Sequence, residues 1–134
     1  MASIVSINIS TEKGVIKQPV KQARLKIDFG IEGDAHGGDW HRQVSLLSQS
    51  SVDKMAGMVK KPLNPGVFAE NITVEGLEVY KLPVGTKISV GECLLEVTQI
   101  GKECHQHCQI FKEVGSCVMP KEGIFTKVLK EGII

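Results

Sequence analysis

The fold class is decided by residues 67–100, which read VFAENITVEGLEVYKLPVGTKISVGECLLEVTQI. Three segments rich in β-branched and aliphatic residues each predict a strand: Phe68 to Val74, Thr86 to Val90 and Cys93 to Ile100. Turn-forming residues separate them: Gly76, Pro83, Gly85 and Gly91. Short strands at close, turn-bounded intervals favour a closed or nearly closed β-barrel over βαβ units.

The flanking sequence adds further strands and one or two short helices. Strands are predicted at Ile4 to Ile9, Ala23 to Asp28, Val44 to Leu47 and Ile124 to Leu129. Helices are predicted at Ser48 to Met58 and at His105 to Val114, where apolar residues share one face. Residues 29–42 are too rich in glycine for regular structure. The apolar end, Ile133 and Ile134, either docks on the barrel or pairs with another subunit in a homodimer.

The length and charge of the chain exclude several classes of protein. A chain of 134 residues is one domain's worth, so we assign residues 1–134 to a single domain. The formal net charge is +1, without a long block of either sign, which does not favour nucleic-acid binding. No secretory signal or membrane span is evident, so the expected location is cytoplasmic. Four cysteines there are expected to be free thiols, metal ligands or redox groups.

Cys104 is the candidate nucleophile. It falls between a predicted strand and a predicted helix, where unpaired backbone N–H groups favour an anion. Lys102, His105 and His107 are close in sequence. Such surroundings favour the thiolate, which is the reactive form of cysteine. Glu103 opposes this effect.

Two other interpretations of the cysteines stay open. Free cysteines are often buried and only fill space, as Cys93 would in its strand and Cys108 and Cys117 would near apolar neighbours. Alternatively, a zinc ion could be held by sulfur and nitrogen ligands in a zinc-stabilised structural barrel. That set would be Cys104, His107, Cys108 and Cys117.

The glycine-rich loop Gly33–Arg42 is a second candidate site. Its sequence, GDAHGGDWHR, would let an anion approach backbone N–H groups, with His36, His41 and Arg42 as hydrogen-bonding or positive groups. The alternative is a tight loop in which Asp34 and Asp39 bond their own backbone. Glu70 and Asn71, by themselves, predict only a strand with a polar edge.

Taken in order, these motifs resemble the MOSC domain, the small β-barrel named for the C-terminal region of molybdenum-cofactor sulfurases. The Gly33–Arg42 loop is similar to that family's glycine-aspartate loop. PGVFAENIT, residues 65–73, is similar to its proline-glycine-x-phenylalanine-x-glutamate-asparagine segment. Cys104, just after a predicted strand, falls where the family keeps its functional cysteine.

The resemblance implies a sulfur carrier, or sulfurtransferase, for the molybdenum cofactor. Cys104 would hold sulfur as a persulfide and pass it to molybdopterin or a related metal–sulfur centre. The implied cofactor-binding residues are Asp34, His36, Gly37, His41, Arg42, Asn71 and Lys102. Implied partners are a sulfur donor such as a cysteine desulfurase and a molybdenum enzyme or cofactor-synthesis protein, since no pyridoxal phosphate motif is present. A non-covalent module that binds molybdopterin or another anionic cofactor is the alternative.

Overall fold

The computed structural model of the protein describes residues 3–12, 16–59, 63, 66–101 and 122–134. The helical elements are α1 (Gln49–Val59) and a 3-10 turn at Val79–Lys81. The strands are β1 (Ser3–Ile9), β2 (Gln18–Val20), β3 (Arg24–Lys26), β4 (Gly30–Ile31), β5 (Val44–Ser48), β6 (Ile72–Glu75), β7 (Lys87–Val90), β8 (Cys93–Ile100), β9 (Ile124–Lys130) and β10 (Gly132–Ile133). The predicted β-rich class is therefore confirmed.

The strands form two open sheets. The larger has seven strands in the order β2-β1-β6-β5-β9-β8-β7, and the smaller has three in the order β10-β3-β4. Within the described residues no pairing joins the edge strands β2 and β7, so closure into a barrel is not confirmed. No helix in this part of the chain is long and apolar enough to cross a membrane.

One βαβ unit lies at the centre of the larger sheet, although the sequence favoured a structure without such units. β5 and β6 run parallel, with Leu46 opposite Ile72, and α1 lies between them in sequence. Every residue of β5 is buried, as is typical of a strand covered on both faces. Two parallel neighbours need a crossover connection, which α1 supplies.

Hydrophobic residues cover both faces of the larger sheet. Leu46 belongs to one buried cluster, with Ile72 and Leu95, whereas Leu47 belongs to another on the α1 side, with Met55 and Phe125. Adjacent residues of a strand point to opposite faces, so Leu46 and Leu47 each serve one layer.

The observed bounds of the elements agree with the predicted ones at regular strands and differ from them at tight turns. The strand predicted at Cys93 to Ile100 is found with those bounds, and the helix predicted at Ser48 to Met58 is found one residue later, at Gln49–Val59. The strand predicted to run to Asp28 ends at Lys26, because Asp28 has a φ of 60° and turns the chain. The second predicted helix, His105 to Val114, lies outside the described residues.

A buried turn replaces the first part of the strand predicted at Phe68 to Val74. Gly66 and Ala69 have φ values of 89° and 63°, and the Ala69 N–H bonds the Gly66 carbonyl at 2.9 Å. These dihedrals are incompatible with a strand, so β6 begins only at Ile72. Glu70 and Asn71 are 0% and 1% exposed, so the predicted polar edge is a buried turn.

The C-terminal residues dock on the small sheet. Gly132 pairs with Leu25 and Ile133 with Arg24, and the Ile134 N–H bonds the Ala23 carbonyl at 3.0 Å. Of the two interpretations of the apolar end, docking on the same chain is confirmed.

Candidate functional site

Asp34 anchors the start of the Gly33–Arg42 loop. Its side chain is fully buried, and Oδ1 accepts hydrogen bonds from Lys17 Nζ at 2.7 Å and from the Ser10 N–H at 3.1 Å. Oδ2 accepts the backbone N–H of His36 at 3.1 Å, which is the local turn expected of an aspartate in a tight loop. These bonds engage both carboxylate oxygens and fix the loop to two other segments of the chain.

The charge of Asp34 is stabilised by its neighbours. Burial alone would raise the pKa of its carboxyl group, but the Lys17 ammonium, the Ser10 N–H and the Asn71 side chain together hold that pKa below its ordinary value. The ion pair is thus charged at neutral pH. Removing one member of a buried ion pair leaves the other uncompensated, so the pair holds the loop in place.

Lys17 is a site residue that sequence reasoning missed. It is 1% exposed, and its ammonium contacts Asp34, Ser10 Oγ at 3.0 Å and His36 Nδ1 at 3.1 Å. Lysine is almost never fully buried unless it is paired. No local pattern marks such a residue, because its partners lie 7 to 19 positions away in sequence.

The middle of the loop is packed tightly. A Cβ atom on Gly37 would lie 2.5 Å from the Phe29 ring, so the close approach of that ring requires glycine. Trp40 stacks on the His36 ring with centroids 6.5 Å apart, and its indole N–H donates to the His36 carbonyl at 2.8 Å. Gly37 therefore has a packing role in addition to the predicted binding role.

The end of the loop is bonded to the end of β8 through Gln99. The Gln99 amide nitrogen donates to the Gly101 carbonyl at 2.8 Å, which fixes the orientation of the amide. Gln99 Oε1 then accepts from His41 Nε2 at 2.8 Å and from Arg42 Nε at 3.2 Å. The Thr98 hydroxyl also donates to the His41 carbonyl. Sequence reasoning missed Gln99, which has no motif of its own.

Arg42 is oriented by a second contact. Its guanidinium carbon lies 5.2 Å from the centroid of the Phe125 ring, within the range of a cation–π interaction. Phe125 lies on β9 beside β8, and Arg42 is half-buried. Because Nε bonds Gln99, the two terminal nitrogens are the part of the guanidinium that can donate to a ligand.

Asn71 joins β1, β5 and the Asp34 cluster. Its Oδ1 accepts from the Ser45 N–H at 2.9 Å, and its Nδ2 donates to the Asn8 carbonyl at 3.1 Å. Asn71 also contributes to lowering the pKa of Asp34, so the two side chains are close. Within the described structure its amide thus supports the anchor of the loop.

The described candidate residues fall into two groups. Asp34 and His36 contact Lys17, and Asn71 interacts with Asp34, whereas His41 and Arg42 bond Gln99 at the end of β8. Lys102 and the proposed zinc set, Cys104, His107, Cys108 and Cys117, lie outside the described residues. Among the residues that the structure describes, no group of three His, Cys, Asp or Glu side chains could hold a metal ion.

The sequence model of the MOSC domain matches residues 32–134, which include the loop, Asn71, β8 and Cys104. This chain belongs to the MOSC domain family. The match begins directly after β4 and continues through the C-terminal strand, so it includes the loop and Gln99 but not Lys17 or Ser10. Family membership confirms the resemblance drawn from the motifs.

Other proteins are similar to this chain in sequence or in fold. The uncharacterized protein YflK from Bacillus subtilis (strain 168) is 28% identical in an alignment of 131 residues that covers 90% of this chain and 59% of YflK. The crystal structure of the YuaD protein from Bacillus subtilis superposes with a TM-score of 0.82 at 18% identity, covering 100% of this chain and 91% of YuaD. That of YiiM from Geobacillus stearothermophilus gives 0.76 at 23% identity, covering 100% and 71%. At such identities the two structures show the fold alone.

Proposed function

We propose that this MOSC domain carries sulfur as a persulfide on Cys104 and delivers it to a molybdenum cofactor or related metal–sulfur centre. The observation that carries the proposal is the bonding of His41 and Arg42 to Gln99, near the end of β8. It links the family's histidine- and arginine-containing loop to the strand that leads to the candidate cysteine.

Chain connectivity limits the distance between the loop and the thiol. Gly101, which accepts a hydrogen bond from Gln99, precedes Cys104 by three residues. A fully extended chain advances at most about 3.6 Å per residue, so the Cα atoms of Gly101 and Cys104 are within about 11 Å. Chain connectivity therefore allows the Cys104 thiol to approach the Arg42 guanidinium, as the proposal requires.

Loading of sulfur is a thiol exchange. The Cys104 thiolate attacks the terminal sulfur of a donor persulfide, an S–S bond forms on Cys104, and the donor's S–S bond breaks. The electron pair leaves on the donor's thiolate. Delivery of this sulfur as a sulfide ligand requires two electrons, which we assign to two thiols of a reductant. The S–S bond on Cys104 breaks, the two thiols join as a disulfide and release their protons to solvent, and Cys104 returns to its thiolate.

The described residues suit the anionic part of the acceptor, which is the substrate in this scheme. Arg42 offers paired N–H groups that match a phosphate, and a guanidinium packed on Phe125 loses little freedom when it binds. A molybdenum cofactor carries such a phosphate on its pterin. Arg42 would hold that group, with His41 bonded beside it to the same Gln99 oxygen, and the metal centre would approach Cys104.

The proposal predicts that Cys104 gains sulfur from a cysteine desulfurase supplied with free cysteine. Intact-mass measurement should show one added sulfur atom on the wild-type chain, removable by a reducing thiol. Cys104→Ala should gain none.

Cys93→Ala is the matched control. Cys93 is 2% exposed, and burial, with a contribution from Glu92, raises the pKa of its thiol, so it is a poor nucleophile. This variant should gain as much sulfur as the wild type. Equal loading of Cys104→Ala and the wild type would contradict the proposal.

A second candidate function, non-covalent binding of an anionic cofactor, is favoured by the orientation of Arg42. The contacts with Gln99 and Phe125 position the guanidinium whether or not a thiol takes part. Phosphate binding by a chain that takes up no sulfur would support this function over sulfur carriage.

A further inference from the structure

We propose that Lys17 is a positioning residue that holds His36 as a neutral imidazole with its proton on Nε2, so that the ring offers a fixed N–H donor to the bound anion. The tautomer follows from the geometry around Lys17. The identity of the ligand as an anion rests on the proposed function.

The contact between Lys17 and His36 has only one chemical interpretation. Lys17 Nζ lies 3.1 Å from His36 Nδ1, within hydrogen-bond distance. A lysine ammonium donates three hydrogens and accepts none. His36 Nδ1 must therefore accept, and the proton of the neutral ring is on Nε2.

The charge of Lys17 is secured by its other partners. Asp34 Oδ1 lies 2.7 Å from Lys17 Nζ, and both side chains of this ion pair are fully buried. Lys17 also contributes to lowering the pKa of the Asp34 carboxyl group. Ser10 Oγ accepts a further hydrogen at 3.0 Å. The ammonium thus has three described acceptors, one of which is the imidazole.

The alternative proton positions on His36 are unfavourable. A proton on Nδ1 would face the ammonium, placing two donors against each other, and an imidazolium would place two positive charges in contact. Asp34 Oδ2 cannot replace Lys17 as the partner of Nδ1, because it lies 3.9 Å away and already accepts the His36 backbone N–H.

The ring is held in this orientation before any ligand binds. Its side chain is 19% exposed and stacks on Trp40, while its backbone bonds Asp34. The Lys17 backbone is fixed in turn, since its N–H donates to the Gly66 carbonyl at 2.9 Å. A donor with a fixed direction binds an anion without the cost of ordering it at that moment.

Nitrogen NMR of the imidazole rings tests the tautomer directly on the wild-type chain. Long-range proton–nitrogen correlations at neutral pH distinguish the Nε2–H from the Nδ1–H tautomer, and a His36→Asn spectrum identifies the signals of His36. We expect the Nε2–H pattern. An Nδ1–H pattern, or averaged signals of the two tautomers, would overturn the role of Lys17.

Substitution of Lys17 gives a second measurement. In Lys17→Met the ring nitrogen signals of His36 should move toward the average of the two tautomers. The control is Lys21→Met, at an exposed lysine, which should leave these signals unchanged. Retention of the pure Nε2–H pattern in folded Lys17→Met would overturn the proposal. If Lys17→Met does not fold, the wild-type spectrum decides.

Binding of inorganic phosphate tests whether the Nε2–H group of His36 donates a hydrogen bond to a bound anion. His36→Gln keeps an N–H donor near the position of Nε2 and should bind phosphate within about twofold of the wild type, whereas His36→Asn should bind about tenfold more weakly, as expected for loss of one hydrogen bond to a charged group. Equal binding by both variants would refute the donor role. A wild type that shows the Nε2–H tautomer but does not bind phosphate would overturn the proposed ligand and leave the positioning role of Lys17 intact.

Discussion

At the scale of single residues, two buried carboxylates have opposite surroundings. Asp34 faces the Lys17 ammonium, whereas Glu70 accepts hydrogen bonds from neutral groups, the Phe68 N–H at 3.2 Å and the Thr73 hydroxyl at 2.8 Å. Burial raises the pKa of Glu70, and the hydrogen bonds offset only part of this effect. The two residues should therefore affect stability in opposite ways as pH changes.

Glu70→Gln should remove a pH-dependent cost to stability. The folded pKa of Glu70 lies above the ordinary value of 4.5, so the folded chain binds this proton more tightly than the unfolded chain. Stability is then lost as pH rises from that value through the folded pKa, by about 1.4 kcal/mol for each unit of the difference. Urea unfolding at several pH values should show wild type falling relative to Glu70→Gln with rising pH.

Glu12→Gln is the control for this measurement, because Glu12 is exposed. The difference in unfolding free energy between the wild type and Glu12→Gln should stay constant across the same range. A pH-independent difference for Glu70→Gln would show that burial does not perturb Glu70.

The sequence predicted the chemistry of several site residues but not their burial. Asp34, His36 and Arg42 were recognisable from the glycine-rich loop, since glycines and histidines together indicate a ligand site. Lys17 and Gln99 were not, because their roles depend on partners distant in sequence: Asp34 is 17 positions from Lys17, and Arg42 is 57 positions from Gln99. Glu70 was predicted to lie on a polar edge, whereas it is fully buried and directly follows Ala69, whose φ is positive.

At the scale of elements, the turn before β6 supports the site through Gly66. A Cβ atom on Gly66 would lie 2.4 Å from the Lys17 carbonyl, and its φ is 89°. The turn therefore fits only glycine at this position, and it fixes the backbone of Lys17.

Gly66→Ala should destabilise the chain by about 2 kcal/mol or more, from backbone strain with an added steric clash. Gly57→Ala is the matched substitution: Gly57 lies on α1, is exposed, and has no atom within 4 Å of a new Cβ. It should stabilise the chain by up to about 1 kcal/mol, through helix propensity. Urea unfolding measures both variants, and equal midpoints would contradict the role given to Gly66.

Regular elements were predictable where the local pattern decides them. β8 alternates buried and partly exposed residues and was found with its predicted bounds. The parallel pairing of β5 with β6 was not predictable, because it depends on which strands meet in space. A continuous buried run such as VSLLS, residues 44–48, fits antiparallel and parallel partners alike.

At the scale of the whole molecule, the MOSC fold brings the glycine-rich loop, near the start of the matched region, to the end of β8. The loop begins one residue after the MOSC match does, and the chain continues from β8 toward Cys104. The motifs identified the family, since they carry its order along the chain. The motifs could not show how the loop is bonded to β8. The structure shows that His41 and Arg42 bond Gln99.

Sulfur carriage by Cys104 is best tested by locating the added sulfur on the wild-type chain. After loading by a cysteine desulfurase and alkylation to trap persulfides, trypsin should release residues 103–112, which contain both Cys104 and Cys108. Fragment ions separate the two cysteines. We predict the added sulfur on Cys104, and sulfur found instead on Cys93, Cys108 or Cys117 would contradict the account.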